Sequence, residues 1–445
     1  MMADMRDLPP ELLVECFKWL TSPDTIYAAS VCSFWRTTAL SAPQLWCDYD
    51  SYNCYRIWLP LLFQRSLSLP FHLLVRGDVN EVETDLIAQN MYRMASIDIR
   101  QASEASVLKL MSIPAPLLEL ASFPSCRIPL PSQSLFPRLR RLYVRRLIIP
   151  PFAVPLESLQ IFNGHLGVNY SPEIFKYLPQ LEILDLSCAS PDNLPKKLPP
   201  SLRQLRIYVP LIIEDAGNLL ATWCGTHPLE LFKLSDSRDL KSPLEYLLST
   251  WRSGTWEMCI DHNRVTLRWG DTSTAFIETN AGRGISLVPA LERCVEASQF
   301  DRLGVLNLAA VVMDLFSLTG CSFPELHTLK ISIDHIADLI TFRMWMNSTQ
   351  PLMPVHMHKL KYLGLRDSLS NGLFAIMDRQ TSQNNLVRLI GLANERIDRL
   401  DLSSTVNTTS FTSNWITLSK LTRELRIVDT NSNNVHSTIT WDSPV

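Results

Sequence analysis

The chain has 445 residues, beyond the roughly 250–300 at which a single core stops growing, so it holds several domains or an elongated repeat array. Apolar residues make up 46% and charged residues 19%, which excludes a disordered polyelectrolyte. With 41 Lys and Arg against 44 Asp and Glu, the net charge is −3, so no global field draws the chain to nucleic acid or to a membrane surface.

The ten cysteines include no CxxC pair, which argues against a disulfide scaffold and for a reducing compartment, cytoplasm or nucleus. The opening "MMADMRDLPPE" carries two aspartates and no apolar run, so no secretory leader is expected. No uncharged apolar stretch approaches the roughly 18 residues of a spanning helix.

Residues 10 to 20 place apolar side chains at 12, 13, 16, 17 and 20, one stripe of an amphipathic helix opened by Pro9, Pro10 and Glu11. "SPD" at 22–24 opens a second helix, with Ser22 as its expected cap. A third short helix carries Cys32, Trp35 and Ala39 and ends at Pro43. Three such helices enclose too little interior for this much apolar surface, so some of it faces a partner or the rest of a larger fold.

The order Leu8-Pro9, Glu11-Leu12-Leu13, Phe17, Leu20, Val31-Cys32, Trp35 and Leu45-Trp46 resembles an F-box, with its LPxE opening, VCxxW centre and closing LW. Ser33 stands where many members carry a basic residue. The resemblance implies docking on a Skp adaptor and, through it, on cullin and RING subunits of a ubiquitin ligase. It assigns adaptor binding to Leu8, Pro9, Leu12, Leu13, Phe17, Val31, Cys32, Trp35, Leu45 and Trp46. The F-box is expected over residues 5–48.

Residues 49–67 are expected as a linker helix, with Tyr55, Trp58, Leu59 and Leu62 on one face of 51–66. From residue 68 to 428 an L-x-x-L-x-L phrase recurs, beginning after "LPFHLLV", the expected edge strand. Clear copies include "MASIDI" (94–99), "LRRLYV" (139–144), "LEILDL" (181–186), "LGVLNL" (303–308) and "IDRLDL" (397–402). Weaker ones are "LLELAS" (117–122), "HNRVTL" (262–267) and "TRELRI" (422–427). Their mean spacing is about 27 residues, within the 20–29 of leucine-rich repeats. Helical segments such as 242–251, 287–297 and 336–346 fall between copies.

The expected class is therefore α/β: an N-terminal three-helix F-box followed by a leucine-rich-repeat solenoid with a parallel concave sheet. Residues 429–445 read as a polar cap or tail. The phrasing resembles the expanded fungal receptors that join an F-box to irregular leucine-rich repeats.

No GxSxG, P-loop or HExxH motif occurs, so neither catalysis nor a cofactor is expected. The pairs Cys224–His227 and Cys259–His262, and His356 with His358, are weak metal spacings. In the repeat strands, the residues beside the last two leucines point to one face. Basic residues outnumber acids there, with Tyr143 and Tyr208 beside Arg141, Arg145, Arg206, Lys233, Lys330 and Arg366. This face is the expected site for an acidic or phosphorylated protein substrate. The chain then reads as a non-catalytic receptor, or as a scaffold with no ligase role.

Overall fold

The structure is a computed structural model. It describes residues 8–150, 153–166, 174–188, 198–208, 229–235, 255–261, 264–269, 273–278, 300–309, 322–333, 357–367, 397–404, 422–429 and 435–440. The chain divides into two compact units, Met1–Leu205 and Arg206–Val445. It is α/β, with N-terminal helices followed by a parallel-strand solenoid.

The first unit opens with α1 (Pro10–Phe17), α2 (Ser22–Val31) and α3 (Ser33–Leu40). Leu13 and Phe17, four apart on α1, turn inward, and the Trp35 ring meets Phe17 edge-on at 5.4 Å. Small residues (Thr25, Ala28 and Ala29) form the buried face of α2. Thr21, not Ser22, is the N-cap of α2. The Ser22 hydroxyl instead donates to the Asp48 carbonyl at 2.7 Å, tying the helices to the strand that follows. Cys32 caps α3, its sulfur accepting from the Trp35 amide at 3.4 Å.

A turn of 3-10 helix, Pro43–Trp46, brings Trp46 into full burial, its indole N–H donating to the Ala39 carbonyl at 2.9 Å. Strand β1 (Asp48–Asp50) then pairs in parallel with β2 (Phe71–Asp78). The sheet therefore starts at residue 48, and "LPFHLLV" is not its edge. Three residues are too short a strand to stand out from composition alone. The expected helix over 51–66 is a turn, a 3-10 segment (Arg56–Trp58) and then α4 (Leu59–Arg65). Pro60 suits the first turn of α4, and Leu59 and Leu62 are buried while Tyr55 is 77% exposed.

After β2 come α5 (Glu81–Gln89), β3 (Met94–Gln101), α6 (Glu104–Met111), β4 (Leu120–Pro129), β5 (Arg141–Ile148), β6 (Ile161–Leu166), α7 (Ile174–Tyr177) and β7 (Ile183–Cys188). Asn80 and Glu83 form a reciprocal capping box at the start of α5. Strands β1 to β7 pair in parallel, each with the next. Their register aligns Tyr49, Leu73, Ile97, Ala121, Leu142, Phe162 and Leu184 in one buried row. Each large member contributes about 1.5–3 kcal/mol on burial, which makes the leucine phrase the spine of the unit.

The copy at 117–122 is shifted by one residue. Ala121 occupies the slot of Leu142, so the phrase runs Leu118, Ala121, Phe123, all buried. Outward residues of that strand are Leu120 and Ser122, and Glu119 precedes the row.

Strand β8 (Gln204–Tyr208) contains the boundary between the two units. The second unit continues with β9 (Leu231–Ser235), β10 (Trp256–Asp261), β11 (Arg264–Trp269) and β12 (Ser273–Glu278). It ends with β13 (Leu303–Ala309), β14 (Thr328–Ile333), β15 (Tyr362–Asp367), β16 (Ile397–Ser404), β17 (Thr422–Asp429) and β18 (Val435–Thr440). Strands β13 to β17 pair in parallel in sequence, with Leu306, Leu329, Leu363 and Leu400 aligned and buried.

"HNRVTL" is not a repeat strand. Its described residues, Arg264 to Leu267, belong to β11, antiparallel to both β10 and β12, while β10 pairs in parallel with β13 and β12 with β9. Its Val265 and Leu267 mimic the repeat phrase because any strand with one buried face alternates in this way. At the other end, β18 pairs antiparallel with β17, so residues 435–440 form a closing strand within the polar terminal segment. The helical segments expected at 242–251, 287–297 and 336–346 lie outside the described residues.

Candidate functional site

The helical module divides the apolar residues of its motif into two sets. Leu13, Phe17, Leu45 and Trp46 are at most 8% exposed and build the module's own core. Trp46 is further covered by the Arg65 guanidinium, 4.5 Å from its ring. Leu8, Cys32 and Trp35 are half-buried, whereas Pro9, Leu12 and Val31 face solvent, Leu12 at 52% and Val31 at 66%. On α2, Tyr27 and Val31 are four apart and share one exposed face. Trp19, exposed at 90%, Leu20 and Leu40 add further uncovered apolar surface. None of these last three, nor Tyr27, was singled out by the motif for adaptor contact. The available signal was a tryptophan that falls outside the apolar stripe at 12, 13, 16, 17 and 20.

The outward face of the repeat strands is the second region. In the first unit the register sets Asp50, Leu74, Asp98, Ser122, Tyr143, Asn163 and Asp185 in one outward row. Arg100, Tyr143 and Arg145 line a groove of about 450 Å³ together with Asp98, Ser122, Asn163 and Ser187. Arg141 and Arg145 are exposed and flank Tyr143 on the same side of β5. Arg100, Arg141 and Arg145 meet no acid within ion-pair distance among the described residues. Gly164 forms part of the groove's wall, and a Cβ there would lie 2.6 Å from the Val144 carbonyl oxygen. The close approach of β5 and β6 therefore requires glycine at this position.

The second unit treats its charges differently. The Arg399 guanidinium grips Asp401 through two hydrogen bonds of 2.9 Å, and the Tyr362 hydroxyl donates to the same carboxylate at 2.9 Å. Arg399 also lies 4.7 Å from the Tyr362 ring centre. Burial, then the Asp401 charge, pushes the Tyr362 hydroxyl up to about 12. Arg426 pairs with Glu424 at 2.5 Å, and Arg268 lies 4.0 Å from Glu257. The amines of Lys233 and Lys330 sit 5.8 and 6.0 Å from the rings of Tyr208 and Tyr362. Three of the basic residues read from sequence, Arg268, Arg399 and Arg426, are thus paired on the same face. Acids on the same or neighbouring strands do this, and a count of repeat positions does not pair them. Arg206 and Tyr208 belong to this second unit. The Arg366 side chain lies outside the described residues, as do Cys224, His227, His262 and His356.

Among the described residues, no group of three or more His, Cys, Asp and Glu is placed to hold a metal ion. Among them too, no helix is long and apolar enough to cross a membrane. A comparison with curated proteins found no match. Residues 5–50 match the family model described as F-box-like, and the chain thus carries an F-box-like domain at its N-terminus, followed by a parallel-strand solenoid.

Proposed function

We propose that the chain is a substrate-receptor subunit of a Skp–cullin–F-box ubiquitin ligase. F-box-like domains in general imply Skp binding and a receptor role, and their proteins are typically non-catalytic. The observation that carries the reading is the uncovered apolar surface of the module. Leu12 and Val31 stay in solvent while Leu13, Phe17, Leu45 and Trp46 fill the core. Isolated apolar residues on a surface are ordinary, but these two fall on motif positions that the family uses for its adaptor.

The receptor adds no acid–base group of its own. It raises the local concentration of substrate lysines near the charged conjugating enzyme. Among the described residues, Cys16, Cys32, Cys47, Cys54 and Cys126 carry free thiols, which fits cytoplasm or nucleus. A tagged pull-down of the full chain should recover both the Skp adaptor and a cullin. Recovery of the adaptor without cullin would favour the scaffold reading.

The substrate is an acidic or phosphorylated protein segment bound at Arg100, Arg141, Tyr143 and Arg145. Planar guanidinium groups fork carboxylate and phosphate oxygens, and those three meet no acid among the described residues. Changing Arg100, Arg141 and Arg145 together to glutamate is expected to abolish substrate capture and leave adaptor recovery intact. The salt dependence of capture should go with it. Substrate capture that survives the triple reversal places the substrate elsewhere.

A further inference from the structure

The arginines are one part of the outward face of the first unit. The register arranges that face in rows that cross the strands. The middle row is Asp98, Ser122, Tyr143, Asn163 and Asp185. Two residues earlier along each strand come Ser96, Leu120, Arg141, Ile161 and Ile183. Two residues later, on the other side of the middle row, stand Arg100 on β3 and Arg145 on β5.

Three members of the early row are aliphatic. Leu120, Ile161 and Ile183 point away from the core that Ala121, Phe162 and Leu184 fill, and each is only half-buried. Single apolar residues on a surface are ordinary, whereas an aligned row of them beside unpaired arginines makes a face with two chemistries. Leu120 also lines a groove of about 530 Å³ between the helices and the sheet, with Leu20, Leu74 and Asp98, so apolar surface continues past β4.

The dimensions select the shape of the ligand. From the aliphatic row to the arginine row is four residues along a strand, about 13 Å. An α-helix with its side chains is about 10–12 Å wide and fills that interval. Across the sheet, strands repeat about every 4.8 Å and helical turns about every 5.4 Å. A helix laid over β4 to β7 therefore drifts by only about 2 Å in all, within side-chain reach. An extended chain sets same-side residues about 6.6 Å apart and loses that much at every strand. Between the two rows, Ser122, Asn163 and Gly164 keep the floor of the 450 Å³ groove low.

We propose that the first unit binds its substrate segment as an amphipathic α-helix laid across β4 to β7, with an apolar ridge on Leu120, Ile161 and Ile183 and acidic or phosphorylated residues toward Arg100 and Arg145. This rests on the arginine site proposed above and specifies the conformation and the apolar content of the segment it takes. Charge complementarity sets the order along the ridge. Arg141 interrupts the aliphatic row at β5, so from β4 to β7 the ridge reads apolar, acidic, apolar, apolar, one residue per turn.

The test uses the full chain and three libraries of sixteen-residue peptides, with serine, glutamate or phosphoserine fixed at the centre and all other positions randomised. Peptides retained by the protein are sequenced. Expected is stronger retention of the glutamate or phosphoserine set, with Leu, Ile, Val or Met enriched three, four and seven residues from the central acid, and proline depleted between them. A proline placed inside a selected peptide should weaken its binding at least about tenfold. The variant Ile161→Thr, Ile183→Thr keeps branched side chains suited to a strand and strips their apolar surface. It should weaken the same peptide about tenfold, and replacing the apolar residues of the peptide with serine should then have little further effect. An unchanged thermal melt shows that the loss is local, and Leu120→Thr, on another strand, serves as the second variant if the first melts early.

Preference for glutamate or phosphoserine without this periodicity, or with proline tolerated, overturns the helix and leaves the arginine site standing. Helical periodicity that survives both variants overturns the assignment to the aliphatic row. Equal retention of the three libraries overturns the arginine reading and the helix together.

Discussion

Replacing Val31 with aspartate is expected to weaken capture of the Skp adaptor by at least about a hundredfold and leave the melting of the chain unchanged. Val31 ends α2 with 66% of its surface in solvent, so the folded chain loses almost no burial when it changes. In a complex the same position becomes dry, and a carboxylate there costs several kcal/mol unless paired. A loss of 2.7 kcal/mol is already about a hundredfold in affinity. Leu12→Asp, at 52% exposure on α1, should behave in the same way. Val31→Ala, which removes only the two methyl groups, should cost far less.

Trp35 offers the contrast. Its ring packs on Phe17 at 5.4 Å, so Trp35→Ala lowers the stability of the module as well as any docking. Titration of the purified adaptor, with circular dichroism melts of each variant, separates the two effects. Undiminished binding by Val31→Asp and Leu12→Asp together would place the adaptor contact elsewhere.

The second large effect is expected at Arg93, which is 1% exposed and has no carboxylate among its hydrogen-bond partners. Its guanidinium donates to the Asn90 side-chain oxygen at 3.1 Å, the Ser66 hydroxyl at 2.9 Å and the Phe63 carbonyl at 2.8 Å. The carbonyls of Leu67 and Leu69 complete the set. All but Asn90, the C-cap of α5, lie at or just beyond the C-terminal end of α4, where the helix dipole favours a cation. The rings of Phe63 and Phe71 lie 5.3 and 5.5 Å from the guanidinium carbon. Burial pushes the Arg93 pKa down, a measure of the cost the carbonyls offset.

Leu67, with φ of 53°, adopts a left-handed conformation that costs a non-glycine residue about 1–2 kcal/mol. Arg93 binds its carbonyl and helps hold it there. Arg93→Met keeps the stem and strips the donors from the buried Phe63 carbonyl and Ser66 hydroxyl and from the half-buried Leu67 and Leu69 carbonyls. The expected cost is about 3–5 kcal/mol, read as a fall of roughly 10 °C or more in the melting of this unit. Arg93→Lys should recover only part, because one ammonium cannot reach acceptors spread around a planar fork. A melt unaltered by Arg93→Met would show that the α4 end is held by its apolar contacts alone.

Much of the architecture was legible from residue order. The leucine phrases mark local alternation, and a strand with one buried face must show it wherever it lies, so β5, β7, β13 and β16 could be placed in advance. The motif from Leu8 to Trp46 was readable for a similar reason: its turns and caps are set by near neighbours in the chain. The same locality produced the errors. Arg264–Trp269 alternates like a repeat but is an antiparallel strand of an inserted hairpin, and only its partners reveal that. The one-residue shift at Ala121 depended on which residue of β4 lies opposite Leu142.

What tertiary structure alone decided is which side chains remain available. Phe17 and Val31 are both apolar motif residues, yet the first is 3% exposed and the second 66%, because Trp35 covers one and nothing in the unit covers the other. Arg141 and Arg399 occupy the same repeat position, one residue before the central leucine, but Asp401 grips Arg399, and Tyr143, at the position of Asp401, offers Arg141 no counter-charge. The joining of the first strand to the helices through Ser22 and Asp48, which creates the groove beside Asp98, spans 26 residues. Periodicity reports which residues could be buried or charged. Burial, pairing and the shape of a groove are properties of distant segments brought side by side, and those follow from the register of the strands.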